Sequence, residues 1–414
     1  FLLPAPHMIG RSVVLCMVLL PACMGFTPLL LPTRLVFGSS FLRVYAPRAG
    51  LWKLAFGRQI SRSHTARPKK FGALYQVTMS SCSVCVVGSI NYDQIAYVQS
   101  PPEPGQTIYG TKYSTGFGGK GANQCVMAAK LGAKTAMVGA VGNDSIAQLT
   151  RENMERLGID ISGIAEKKCV SSVAQITVSE DGQNSIIICP GANLELIPYD
   201  LDPNMESIKN CQVLLLQNEI APRVTLAAMY RAKEDADSPP LVILNAAPAP
   251  EIGTKWEQGQ WYNMEQMVAA CDILCVNESE AAKIAGLSLR GNKEGWEDRL
   301  RACASKILSM GAGKVLFTLG GEGSCLASAS AGGEVDAPSL VLCRVQAAQD
   351  HVEVVDTSGA GDAFLGAFAA YVAAGKTLEE ALPLAGEVAT LTVQAEGTQT
   401  SYPARSSLPE HLRP

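Results

Sequence analysis

From Ser83 onward the chain alternates between short, continuously apolar runs and longer stretches in which apolar residues return every three or four positions. SVCVVGSI (83–90), TAMVGAVG (135–142), VLLLQ (213–217), LVILN (241–245), DILCVN (272–277) and KVLFTLG (314–320) have strand length and are apolar on both faces, which predicts strands buried on both sides. GANQCVMAAKLGA (121–133) and SIAQLTRENMERLG (145–158) show helical spacing, the second closed by Gly158. This alternation predicts an α/β domain with a mostly parallel sheet covered by helices on both faces. Two stretches break it: residues 94–117, with a Pro-rich turn from Pro101 to Gly105, and residues 173–189, a hairpin with Asp181-Gly182 at its turn. Together they predict a small accessory sheet. Residues 233–240 and 253–266, the latter with Trp256 and Trp261, read as polar insertions, and no internal repeat is seen in the body.

Residues 1–80 follow another pattern. SVVLCMVLLPACMGF (12–26) is an apolar run behind Arg11, interrupted by Pro21 and too short for a stable membrane span. An Arg- and Ser-rich stretch without acids follows it. Two readings stand side by side. A signal-like segment leading into a transit segment implies a plastid or mitochondrion. A start at Met79, directly before the first strand, makes residues 1–78 an over-extended gene reading and implies the cytoplasm or nucleus.

Charge sharpens this division. The net charge is −4, yet the first acidic residue is Asp93, so all 38 acids lie beyond residue 92 and the body is acidic. Nothing here marks a nucleic-acid-binding surface. The thirteen cysteines sit mostly in apolar runs, as buried thiols in a reducing compartment do, and Cys82 and Cys85 form a lone C-x-x-C without a second ligand pair for zinc. Of the four histidines only His351 lies near a motif. The chemistry is therefore expected to rest on a carboxylate.

Asp356-Thr357-Ser358-Gly359-Ala360-Gly361-Asp362-Ala363-Phe364 carries the strongest chemical signal. HVEVVD (351–356) reads as a strand that enters a tight glycine turn, after which an apolar helix begins. Amide groups at such a helix start face an anion, assisted by the helix dipole, which suits phosphoryl transfer. Asp362 stands where a carboxylate can take a proton from an attacking hydroxyl; read alone, it is equally a helix-capping Asp in a Gly-rich turn. A second cluster, Gly116 to Gln124, opens another helix and contains Gly118, Gly119, Lys120 and Asn123. Asn91 and Asp93 follow the first strand at its carboxyl end, where ligands sit in open α/β sheets. An Asx turn or helix cap is the alternative for each of these polar residues.

The pairing of GGKGANQ with DTSGAGDAF resembles the two signatures of the PfkB carbohydrate kinase family, and within it the ribokinases. The resemblance spans roughly residues 83–405. It is supported by VGSIN-x-D (87–93), PGAN (190–193), QNE (217–219), NAAPAP (245–250), NESEA (277–281), TLGGEG (318–323) and VQAEGTQTSYP (393–403). It implies a three-layer α/β/α sandwich over residues 81–410, with a mostly parallel central sheet and a small β lid from about 94–117 and 173–189. The implied reaction moves the γ-phosphate of ATP to O-5 of D-ribose. Asn91, Asp93, Gly118, Gly119, Lys120, Asn123 and Glu219 would hold the sugar, with Asp362 as base. ATP would contact Asn277, the loop Thr318, Leu319, Gly320, Gly321, Glu322 and Gly323, and Gly361-Asp362, with Gly359, Ala360 and Gly361 forming the anion hole.

The resemblance further implies that Asn277 and Glu280 orient Mg²⁺, although in isolation they read as a helix cap with a first-turn acid. It implies a K⁺ site on Asp356, Ser358, Thr392, Ala395, Gly397 and Ser401, and a homodimer formed through the lid. Ser358 stands where Thr is common, Gly386 where relatives often carry Asn beside the adenine, and NAAPAP where NPAPA is usual. Two alternatives remain: a family kinase for another sugar or a nucleoside, and a non-catalytic sugar-binding regulator.

Overall fold

The computed structural model describes residues 82–234, 238–249, 264–289, 295–330, 332–344 and 352–414, and the backbone of three strands nearer the N-terminus. The apolar run at 12–26, Met79, residues 235–237, most of the 253–266 insertion and His351 lie outside the described residues. The chain divides into two units, Phe1–Gln76 and Val77–Pro414. The described part of the first is an antiparallel sheet of β1 (Arg34–Phe37), β2 (Ser40–Tyr45) and β3 (Lys53–Arg58).

In the second unit the apolar runs become the expected strands: β4 (Val84–Val87), β7 (Thr135–Val141), β11 (Val213–Gln217), β12 (Leu241–Asn245), β13 (Ile273–Asn277) and β14 (Lys314–Thr318). With β8 (Asp160–Glu166), β15 (Ser324–Ser328) and β16 (Ser339–Cys343) they form a sheet in the order β16-β15-β14-β13-β12-β11-β4-β7-β8. β15 pairs antiparallel with both β14 and β16, and the other neighbours pair parallel.

Each central strand feeds two cores, which is why its sequence shows no polar face. Val84 and Val86 point into one, shared with α1 (Lys120–Lys130), α2 (Ser145–Arg156), α8 (Ala360–Ala373) and α9 (Leu378–Thr392). Cys85 and Val87 point into the other, shared with α3 (Met205–Asn210), α4 (Pro222–Lys233), α5 (Met264–Ala270), α6 (Glu278–Ala285) and α7 (Trp296–Ser309). This is a three-layer α/β/α sandwich. Most cysteines among the described residues are buried free thiols, and burial drives the Cys125 and Cys271 thiols up to about 12.

A second sheet has the order β10-β9-β5-β6, from β5 (Asn91–Val98), β6 (Lys112–Gly118), β9 (Ser172–Ser179) and β10 (Asn184–Cys189). One expectation fails: residues 352–356 pair with no strand. Val355 and Asp356 instead donate their N–H groups to the Val393 carbonyl at the end of α9, at 2.8 and 3.1 Å, so the segment is fixed by a helix end.

Candidate active site

Helix α8 begins at a turn that only glycine can make. Gly359, its N-cap, has φ 74°, and a Cβ there would stand 2.8 Å from Tyr402 Oη and closer still to Thr398. Tyr402 Oη donates to the Gly359 carbonyl at 2.9 Å and so holds the turn from the far side. Burial, then the charges of Asp362 and Asp93, keep the Tyr402 phenol well above its ordinary value, so it remains a donor. No heavy atom lies within 4 Å of a Cβ built on Gly361, which opens into a cleft. Ala360 donates its N–H to the Thr357 carbonyl at 3.2 Å.

One residue further, Asp362 is buried and faces α1. Asn123 Nδ2 donates to its Oδ2 at 3.0 Å and Gln124 Nε2 to its Oδ1 at 2.9 Å. The approach of the two helices is set one turn below by Gly366, where a Cβ would lie 2.8 Å from Met127 Cβ and closer to the Gln124 carbonyl. Both amides are themselves fixed. Gln399 Nε2 donates to Asn123 Oδ1 at 3.0 Å, Asn153 Nδ2 to Gln399 Oε1 at 3.1 Å, and Gln217 Nε2 to Gln124 Oε1 at 2.7 Å. The result is a buried amide chain that holds one carboxylate.

Beside Asp362 gathers the polar group expected from the first strand and the second glycine cluster. Glu219 Oε2 accepts from Ser89 Oγ at 2.6 Å and from the Lys120 N–H at 3.0 Å. Asn91 Oδ1 accepts from Ser172 Oγ and Asn193 Nδ2, both at 2.8 Å. The Asp93 carboxylate lies over Gly118, where a Cβ would come within 2.6 Å of its Cγ. Burial, then the nearby Glu219 and Asp362 charges, push the Asp93 carboxyl up to about 7. The Asp362 charge foremost, with Glu219 and Glu280, holds the Lys120 ammonium above its ordinary value in spite of its burial. Asn91, Asp93, Gly118, Gly119, Lys120, Asn123, Glu219 and Asp362 are thus brought together.

On the other side of Gly361 lies a cleft of about 1310 Å³, lined by Asn277, Thr318, Gly320, Gly321, Gly323 and Gly361 among others. Two residues of the expected loop do not line it: the Leu319 side chain is buried in the core, and Glu322 is exposed outside the lining. Gly386 is in its wall with open space where a side chain would stand. Asn277 and Glu280 form a reciprocal cap on α6. Asn277 Oδ1 accepts from the Glu280 N–H at 2.9 Å, and Glu280 Oε2 from the Asn277 N–H at 2.8 Å. The helix-cap reading of this pair is therefore realised. The Glu280 carboxyl is nevertheless raised, by burial first and by Asp362, against the opposing hydrogen bond from Asn277 and the charge of Lys120.

The pfkB family carbohydrate kinase pattern matches residues 82–405. The chain belongs to the PfkB family of carbohydrate kinases. It is 35% identical to the deoxyribokinase of Salmonella typhi over 332 residues, 80% of this chain and 98% of that one. It is likewise 35% identical to the ribokinase of Mus musculus over 337 residues, 80% of this chain and 94% of the other. Its fold matches the crystal structure of a ribokinase from Thermotoga maritima with TM-score 0.65 at 33% identity, covering 78% of this chain and 97% of that one. It also matches the Arabidopsis thaliana ribokinase complexed with ribose and ATP, with TM-score 0.68 at 29% identity, covering 80% and 99%. This PfkB chain is an ATP-dependent sugar kinase.

In this kinase the loop after α9 returns to the Gly359 turn. Asp356 Oδ1 accepts from the Ser358 N–H at 2.8 Å and Oδ2 from the Gly397 N–H at 2.9 Å. Burial opposes the Asp356 charge, but these bonds outweigh it and hold the carboxyl below its ordinary value. Ser401 Oγ donates to the Thr398 carbonyl at 2.9 Å, and Thr392 is buried at the end of α9. Sequence reading missed Ser89, Gln124, Gln217, Gln399 and Tyr402. Gln124, Gln217, Gln399 and Tyr402 lie inside quoted motifs, one or two positions from candidate site residues, and Ser89 lies within the VGSIN segment.

Proposed function

We propose that this kinase transfers the γ-phosphate of ATP to O-5 of D-ribose, with Asp362 as general base. The observation that carries the reading is the station of Asp362. Its carboxylate is held by Asn123 and Gln124 beside Asp93, Lys120 and Glu219, while the preceding Gly361 opens into the nucleotide-sized cleft. In that arrangement Asp362 accepts the O-5 proton as the new O–P bond forms and the bond to the ADP oxygen breaks. The amides at the start of α8, Gly361 above all, stabilise the charge that develops on the transferred group. Asn91, Asp93, Gly118, Gly119, Lys120, Asn123 and Glu219 hold and orient the sugar. Asn277 and the Thr318–Gly323 backbone hold the nucleotide.

Mg²⁺ fits the chemistry of Asn277 and Glu280, whose carboxylate keeps one oxygen outside the cap; it would be held there chiefly through water and would neutralise phosphate charge. The all-oxygen set of Asp356, Ser358, Thr392, Ala395, Gly397 and Ser401 suits K⁺, which would stiffen the anion turn. The lid over the sugar excludes water. Its strand β10 leaves Ile186, Ile187 and Ile188 at 53%, 67% and 49% exposure, which supports a homodimer formed through the lid. We assign residues 81–410 to the kinase unit and residues 1–80 to a separate extension.

The test is ADP release that depends on added ribose, measured with and without K⁺. Asp362→Asn should lower kcat by about 10²- to 10⁴-fold while ribose and ADP still bind; near-normal turnover would remove Asp362 from the role. The equal identity to a deoxyribokinase favours one second reading, 2-deoxyribose as acceptor. A comparison of kcat/KM for the two sugars decides between them.

A further inference from the structure

The lid sheet is rooted at one end and carries an ion pair at the other. At the root, Asn193 accepts from the Ile90 N–H at 3.1 Å and, with Ser172, donates to Asn91. From there β5 pairs with β6 from Asn91 opposite Gly118 to Tyr97 opposite Lys112. Side chains alternate between the two faces of a strand, so Asn91, Asp93, Ile95 and Tyr97 share one face. Lys112, directly opposite Tyr97, shares it too. Asn91 and Asp93 belong to the site, and the charges of Glu219 and Asp362 reach Asp93, so this face is turned toward the site. From Asn91 to Tyr97 the strand runs about 20 Å.

At that far end Lys112 Nζ donates to Glu396 Oε2 at 2.8 Å and stands 4.7 Å from the centre of the Tyr97 ring. The strand end beside it is fixed, because the Thr111 N–H and hydroxyl both donate to the Tyr97 carbonyl, at 2.7 and 3.2 Å. Glu396 lies in the loop after α9. Thr400 Oγ1 donates to its carbonyl at 3.1 Å, and the next residue, Gly397, donates its N–H to Asp356. Further along the loop Gln399 holds Asn123, which holds Asp362. Among the described residues this is the only ion pair within 4.0 Å that joins a lid strand to another part of the chain. Its side chains are 50% and 65% exposed, so the pair is weak by itself. A weak pair suits a latch, since a lid must open again at each turnover. We propose that Lys112 and Glu396 latch the lid over the acceptor sugar, and that closure is carried through Glu396 to the loop Gly397–Ser401. This rests on the reading above that the sugar lies between the lid root and Asp362. Both are positioning residues, which act through the lid and the loop.

The experiment is a charge exchange in the full chain: Lys112→Glu, Glu396→Lys and the two together, each assayed by steady-state kinetics with Mg²⁺ and ATP. Each single reversal turns an attraction into a repulsion and should raise the sugar KM about three- to tenfold, with kcat within about twofold and ADP affinity unchanged. The double exchange restores the pair and should bring KM back to within about twofold of wild type. Hydrogen exchange of the Gly397–Ser401 amides should slow when sugar binds in the wild type and the double exchange, and less in either single reversal. If a reversal does not fold, Lys112→Gln and Glu396→Gln carry the comparison, with smaller rises in KM and no further rise when combined. The latch is overturned by single reversals that leave KM within about 1.5-fold, by a double exchange no better than the singles, or by sugar binding that leaves the loop's exchange unchanged. Wild-type turnover with ribose and with 2-deoxyribose, measured first, reports on the acceptor reading. The exchange is then scored on whichever sugar is phosphorylated, so the two conclusions fail separately.

Discussion

Gly118→Ala isolates the sugar side of the site from the fold. A Cβ at this position would meet Asp93 Cγ at 2.6 Å and both of its carboxylate oxygens more closely; its three nearest atoms all belong to that one side chain. The carboxylate can swing aside where backbone could not, so the cost in stability is small, about 1 kcal/mol. What is lost is the Asp93 position. Hydrogen bonds to a charged group are worth about 1.5–3 kcal/mol, so ribose KM should rise about ten- to hundredfold. kcat at saturating ribose should fall less, because Asp362 is held from α1 and α8 rather than from β6. The assay is steady-state kinetics over a ribose series, with ADP titration and thermal denaturation on the same preparation. A ribose KM within about twofold of wild type would refute the placement of Asp93 on the sugar. An equal loss of ADP affinity would show that the substitution disturbs the fold.

Further outcomes follow from the same geometry. With the Asp93 carboxyl raised to about 7, ribose kcat/KM should climb as pH rises from 6 to 8 and then level off, and Asp93→Asn should flatten that limb. Because its folded value stands above the ordinary 3.8, the stabilising contribution of this group is fully present below that value and is lost as pH rises to about 7. The sugar-free protein should therefore lose melting temperature over that window relative to Asp93→Asn. Tyr402→Phe removes the donor to the Gly359 carbonyl; about 1 kcal/mol of stability and a lowered kcat with ribose KM unchanged are expected, and a change confined to ribose KM would contradict the role.

The layered fold was legible because a strand buried on both faces has to be apolar at every position, and VLLLQ or VCVV allows little else. The antiparallel edge was not read: SLVLC at β16 is half-exposed and SCLAS carries two serines, so neither shows the run that marks a central strand. HVEVVD misled for a related reason. Its alternation of apolar and acidic residues fits a half-buried strand, but its hydrogen bonds go to the end of α9, a long-range partner that local pattern cannot reveal. Asp362 and Lys120 could be read because a charge inside a glycine cluster needs a reason to be there, and Asp93 from its place at the carboxyl end of the first strand. Glu219 was implied only by the family resemblance. Gln124 and Gln399 could not be read, because an amide in a sequence has no preferred partner. Its meaning depends on what a distant helix brings within 3 Å.

That difference bears on how the proposed base is positioned. Asp362 is held by two amides, each held in turn by another, and the two ends of the chain lie on elements with different duties. Gln399 belongs to the loop that carries Asp356's partner Gly397, while Gln217 ends β11, next to Glu219 on the sugar side. A movement of the loop therefore reaches Oδ2 through Asn123, and a movement of the sugar wall reaches Oδ1 through Gln124. Buried amides tolerate little displacement before a polar atom is left unpaired, at about 1–3 kcal/mol each. The carboxylate is thus positioned only when both walls are in place, so a displacement of either wall weakens the hold on the proposed base.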